Sequence, residues 1–128
     1  MATARPTVAV IEANARDRNA LRSLLSSLDV EVHAFDSAES YLAANGEKLK
    51  CIIIDVSLPG MSGLDLLRLL RSMRVAPPVI LVGEESDVSA AVTAMREGAV
   101  DFIERSHLDL AIVRRVAYFL DDALVGLH

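Results

Sequence analysis

The sequence predicts an open parallel α/β sheet with helices on both faces, and three observations lead there. Apolar segments of strand length alternate five times with segments of helical period. Two of the strand segments, Cys51 to Ile54 and Val79 to Val82, are apolar at every position, as a strand covered on both faces has to be. The stretch that follows the first of them, Asp55-Val-Ser-Leu-Pro-Gly-Met-Ser-Gly63, brings a single carboxylate to a strand end and turns at once into a helix.

The elements follow in order. Residues 1–6 read as a loose N-terminal tail, and 7–128 as one domain. Thr7 to Ile11 is a short apolar strand, and Leu21, Leu24, Leu25 and Leu28 after it fall on one helical face. Val30 to Ala34 alternates apolar and polar residues, which marks an edge strand, and Asp36 and Glu39 bracket a helix start that runs to Asn45-Gly46. The third strand ends at Asp55. Ser62 and Asp65 have the spacing of a capping box, Met61 and Leu66 that of a hydrophobic staple, and the helix carries Leu64, Leu67, Leu70 and Met73. Pro77-Pro78 precedes the fourth strand, whose apolar faces place it inside the sheet. Val88, Ala91, Val92 and Met95 then have helical spacing up to a stop at Gly98. Val100 to Ile103 is the fifth strand, and a last helix from about Asp109 buries Val113, Val116, Leu120 and Leu124. Five strands and five helices in so short a chain leave one dominant solution, a parallel sheet covered on both faces by right-handed crossovers, and the expected arrangement is the flavodoxin-like doubly wound fold with strand order 2-1-3-4-5. Its crevice lies between the ends of the first and third strands.

Composition narrows the function. A hydrophobic content of 52% excludes disorder, and a net charge of -5 argues against direct nucleic-acid binding by this domain. The single cysteine, Cys51, lies in an apolar strand and reads as a buried thiol in a reducing compartment. The opening residues lack the apolar run of a signal peptide, and no segment has the ~20 apolar residues of a membrane span. The expected location is cytoplasmic, with no membrane contact.

In the predicted fold, Glu12, Asp55, Gly83 and Arg105 stand after the first, third, fourth and fifth strands and converge on one crevice. Two carboxylates and a cation together suit aspartyl phosphotransfer. There a metal neutralises the acids and the incoming phosphoryl group, Asp55 is the nucleophile, and a fixed positive charge holds the product oxygens. Bland readings stand beside these. Asp55 by itself also reads as a cap or turn residue, Arg105 also reads as a surface partner of Glu104 or Asp101, and Phe102 also reads as core. His33 and His107 lack metal-ligand spacing and read as structural, and Asp121-Asp122 as a solvated helix face.

Nearly the whole chain resembles the receiver domains of bacterial two-component response regulators, above all those of nitrogen-fixation regulators. The resemblance rests on Ser37-Ala-Glu-Ser-Tyr41, Asp55 to Gly63, Asp87-Val88 with Ala91-Val92 and Ala94-Met95, and Glu97-Gly-Ala-Val-Asp-Phe-Ile-Glu104. It implies that Asp55 is the phosphoacceptor, that Phe102 is the aromatic whose rotamer reports activation, and that Ser57 offers its backbone carbonyl to Mg2+ beside Glu12 and Asp55. Three positions depart from the family pattern. Ala13 stands where an acid ligates the metal, Gly83 where a Thr or Ser hydroxyl meets the phosphoryl group, and Arg105-Ser106 where Lys-Pro is usual.

The leading expectation is therefore a non-enzymatic, atypical receiver with weak or absent Mg2+ binding, acting by protein-protein contact with impaired phosphorylation switching. The alternative is an ordinary Mg2+-dependent receiver phosphorylated on Asp55 by a histidine kinase. The resemblance implies a sensor kinase or another signalling protein as partner, and a partner or homodimer surface on the fourth helix, fifth strand and fifth helix. Receivers of this look are commonly followed by a helix-turn-helix DNA-binding domain, at the point where this chain stops. A haloacid-dehalogenase-like phosphatase is disfavoured because Ser57 takes the place of its second acid. A flavodoxin is disfavoured because Glu12 to Arg16 contains neither glycine nor hydroxyl residues to cradle a phosphate.

Overall fold

A computed structural model describes residues 5–44, 48–73 and 76–120. Five parallel strands, β1 (Thr7–Ile11), β2 (Glu31–Phe35), β3 (Leu49–Asp55), β4 (Val79–Gly83) and β5 (Asp101–Glu104), alternate with five α-helices. The helices are α1 (Ala15–Leu25), α2 (Ala38–Ala43), α3 (Gly63–Ser72), α4 (Val88–Arg96) and α5 (Asp109–Leu120). The strand order is β2-β1-β3-β4-β5, as expected, with β2 at an edge and β4 flanked on both sides.

Strand geometry explains the continuous apolar runs. Successive side chains point to opposite faces, so a strand covered twice needs apolar residues everywhere. Val8, Val10, Cys51, Ile53, Ile80 and Val82 pack with Leu21 and Leu25 of α1 and Ile112 and Val116 of α5. Their neighbours Ala9, Ile11, Ile52, Ile54, Val79 and Leu81 pack on the other face, with Leu66, Leu67 and Leu70 of α3 and Ala94 of α4. Each large apolar side chain buried this way stabilises the fold by about 1.5–3 kcal/mol.

Several local expectations shift. β2 begins one residue later than Val30 and includes Phe35, and β5 begins at Asp101 rather than Val100. Helix α2 is capped by Ser37, whose hydroxyl accepts from the Ser40 amide at 3.0 Å, rather than by Asp36. In α3 the buried stripe includes Leu66, while Met73 is 45% exposed because the chain has already left helical geometry there, at ψ 149°. The Ser62 cap holds, its hydroxyl accepting from the Asp65 amide at 3.1 Å, and Met61 packs into the same cluster as Leu66. Helix α5 buries Ile112 and Val116, with Val113 and Leu120 packed at the margin. The expected helix end at Asn45-Gly46, Asp121-Asp122 and Leu124 lie outside the described residues.

Candidate functional site

Topology brings the functional side chains together. The order reverses at β1 and β3, which opens a crevice at their carboxyl ends. Asp55 is the last residue of β3, and Gly83 the last of β4. Glu12 follows β1 directly and is anchored by its amide, which donates to the Phe35 carbonyl at 2.9 Å. Arg105 opens a 3₁₀ turn, Arg105–His107, after β5. Gly63 sets how tightly the chain turns after Asp55, because a Cβ there would run into the Asp55 carbonyl and the Val56 Cα. On the other side of that loop, Glu39 of α2 accepts from the Met61 amide at 2.8 Å.

Gly83 at the end of β4 has Phe102 and Asp87 as its nearest side chains, whereas Glu12, Asp55 and Arg105 meet, with Arg105 at the centre. Its Nη1 donates to Glu12 Oε1 at 2.9 Å and its Nη2 to Asp55 Oδ1 at 2.9 Å. The same guanidinium reaches Asp17 Oδ2 at 3.3 Å and Glu84 Oε1 at 2.7 Å. Glu12 and Asp55 are almost wholly buried, 2% and 5% exposed, and a carboxylate so placed requires a partner. A planar fork of donors suits this task, since it can serve several acids at once. Glu12 also accepts from the Asn14 amide at 3.1 Å, and Asp55 Oδ1 from the Ser57 amide at 3.2 Å.

Burial pushes the Glu12 carboxyl above its usual range, and nearby Asp55 adds to that push. The bonds from Arg105 and the Asn14 amide oppose it only in part. Burial works against the Arg105 charge too, but Glu12, Glu84 and Asp55 outweigh it and raise the guanidinium pKa. Four carboxylates share this one cation.

Asp17 and Glu84 are site residues that sequence reasoning missed. Asp17 stands three residues after the Asn14 cap of α1, and Glu84 directly follows Gly83, so each lies one short step from a position already singled out. The surface reading of Arg105 is wrong: Asp101 pairs with Arg115 at 3.0 Å and Glu104 with His107 at 3.2 Å. His33 contacts Glu31 at 3.0 Å.

The donor set open to a divalent cation is reduced. Ala13 supplies no ligand, and the Arg105 guanidinium already bridges Glu12 and Asp55, whose oxygens would have to hold the metal. Around Gly83 the space is taken as well. A Cβ built there would lie 2.6 Å from Cζ of Phe102 and 2.9 Å from Oδ2 of Asp87. The Phe102 ring thus packs over a residue without a side chain, and the Asp87 carboxylate closes the next turn by accepting from the Glu84 amide at 2.8 Å.

Comparison with known proteins gives one consistent picture. The family model described as response regulator receiver domain matches residues 8–116. The transcriptional regulatory protein FixJ of Bradyrhizobium diazoefficiens is 35% identical over 108 residues, 84% of this chain and 53% of that protein. The response regulator protein TodT of Pseudomonas putida is 39% identical over 87 residues, 67% of this chain and 38% of that protein. The chain therefore spans about half, or less, of the length of these curated relatives. The crystal structure of a response regulator receiver protein from Pseudoalteromonas atlantica superposes with a TM-score of 0.85 at 33% identity, covering 92% of this chain and 99% of that one.

Proposed function

Because this chain belongs to the response regulator receiver domain family, we propose that it is an atypical receiver, a non-enzymatic cytoplasmic interaction module of two-component signalling whose phosphorylation site is held shut by Arg105. Receiver domains bind Mg2+ at their acidic site and interact with histidine kinases. In this chain the observation that carries the reading is the guanidinium seated between Glu12 and Asp55. To accept a phosphoryl group, an Asp55 oxygen has to form the bond to phosphorus while the donor's nitrogen leaves. The arriving charge then needs compensation beyond what those two acids already absorb. Admitting a metal means exchanging the Arg105 guanidinium, which already neutralises Glu12 and Asp55, for Mg2+ at a site where Ala13 adds no third carboxylate. Mg2+ binding is accordingly weak or absent.

Gly83 and Phe102 support the second half of the reading. A ligand shifts a conformational equilibrium only by contacts that differ between the two states. Moving from 1:99 to 99:1 takes about 5.5 kcal/mol of such difference. Gly83 offers no hydroxyl to a phosphoryl oxygen, and the Phe102 ring already occupies the space that a side chain at 83 would need. The domain on this reading stays in one conformation and works through its surface, the face of α4, β5 and α5 being the proposed contact region for a signalling protein.

The placement of Asp55 at the end of β3, with Ser57 beside it, favours the second reading, an ordinary phosphoreceiver. One experiment separates the two. Mg2+ is titrated first, then beryllofluoride is added as a phosphoryl mimic, and the amides of Gly83 to Ser86 and the ring of Phe102 are followed by NMR. We expect no saturation at sub-millimolar Mg2+ and changes confined to Asp55 and its neighbours, with Ala13→Asp strengthening metal binding. Concerted shifts through Phe102 into α4 would establish the ordinary receiver instead.

A further inference from the structure

Helix α4 does not hide its apolar residues. Val88, Val92 and Met95 recur at i, i+4 and i+7 and are 67%, 49% and 49% exposed, while only Ala94 of the helix is buried. Val88, Ala91 and Val92 form one wall of a groove of about 260 Å³, and Phe102 of β5 forms part of the other. Apolar side chains exposed on one helical face beside a groove can seat the apolar side chains of a partner.

The edge is acidic throughout. Glu84, Glu85, Asp87 and Glu104 line the groove, and no lysine or arginine does. Little of that charge is neutralised from within. The cation facing Glu84 is Arg105, which also serves Glu12, Asp17 and Asp55. Glu104 faces His107, which offsets it only when the imidazole is protonated. Asp87 is engaged by an uncharged donor, the Glu84 amide.

We propose that this groove receives a basic amphipathic segment of a partner protein, with apolar side chains seated on Val88, Val92 and Phe102 and Lys or Arg side chains over Glu84, Glu85 and Glu104. The proposal rests on reading the domain as an interaction module and specifies the chemistry of its partner. Charge complementarity selects this occupant over a second copy of the chain. A two-fold contact through the groove would set one acidic rim against another.

The test titrates the 128-residue chain with a synthetic helical peptide bearing Leu at i and i+4 between Lys and Arg residues, and with a counterpart in which every base is Glu. Binding is read from amide shifts. Saturable shifts confined to residues 84–95 and 102–104, for the basic peptide alone, are expected, weakening by about fivefold or more in Val92→Ser and in Glu85→Lys. Both substituted side chains point to solvent, and unchanged melting curves confirm that the variants fold. Equal binding of the two peptides, shifts mapping elsewhere, or no binding would overturn the proposal. So would self-association of the chain abolished by Val92→Ser, which would assign the groove to a second copy. Beryllofluoride switching with peptide binding intact would remove the locked-site reading and leave the groove standing, whereas the reverse pattern would remove the groove alone.

Discussion

Gly83 is a residue whose smallness shapes its surroundings. Its missing side chain admits the Phe102 ring, whose Cζ lies 2.6 Å from where a Cβ would stand. Gly83→Thr therefore forces the ring or the Asp87 carboxylate to move, with an expected loss of about 1–3 kcal/mol in chemical denaturation. In a Phe102→Ala background the same substitution should cost clearly less, and strict additivity in that double-mutant cycle would count against the contact. Glu12 gives a pH signature of definite sign. Its folded pKa lies above the ordinary 4.5, so the folded state holds the proton more tightly. Its stabilising share is complete below about pH 4.5 and is lost as pH rises through the raised value. The unfolding free energy of the wild type minus that of Glu12→Gln, in metal-free buffer, should fall from pH 4.5 upward and then level off. The exposed Glu31, whose pKa His33 lowers, acts with the opposite sign below its ordinary value but is common to both proteins and cancels. A difference that rises with pH would refute the assignment.

Among the elements, α3 and α4 present the same sequence signal and opposite placements. Both carry apolar residues at helical spacing, but α3 turns Leu66, Leu67 and Leu70 inward, whereas α4 turns Val88, Val92 and Met95 outward. The contrast is measurable by thermal or urea unfolding. Leu67→Ala should cost about 2–5 kcal/mol by leaving a cavity, and Val92→Ala should stay within about 0.5 kcal/mol of the parent. A large loss at Val92 would place α4 in the core. The sheet edge shows a different use of charge. Arg5 reaches the carbonyl of Val30, just before β2, and Arg22 that of Val32 within it, each at 3.4 Å, so cationic side chains cover an edge that could otherwise pair with another strand.

Across the whole molecule, Arg105 works as a tie between distant parts of the chain. From the end of β5 it joins the end of β1, the first turn of α1, the end of β3 and the loop before α4. Replacing it with Met removes the tie while keeping much of the side-chain volume. Hydrogen exchange should then quicken about tenfold, equivalent to about 1.4 kcal/mol, for amides of residues 14–17 and 84–87, with the centres of β1 and β3 unchanged. Uniform acceleration across the sheet would show that Arg105 sustains global stability rather than the carboxyl-end cluster.

Period and composition determined the alternation of strands and helices and hence a parallel sheet covered on both faces, and within the strand order β2-β1-β3-β4-β5 Glu12, Asp55 and Arg105 converge. Apolar spacing reports directly on which side chains share a face, and the handedness of crossovers prunes the strand orders to a handful. Tertiary structure alone decided the rest. Arg105 selects Asp17 and Glu84 instead of Asp101 or Glu104 because a long guanidinium side chain finds acids by distance through space, which sequence separation does not encode. Likewise, spacing groups Val88, Val92 and Met95 but carries no information on whether their face meets the sheet or water. That depends on the rotation of α4 about its axis, which the packing of Ala94 against the sheet fixes.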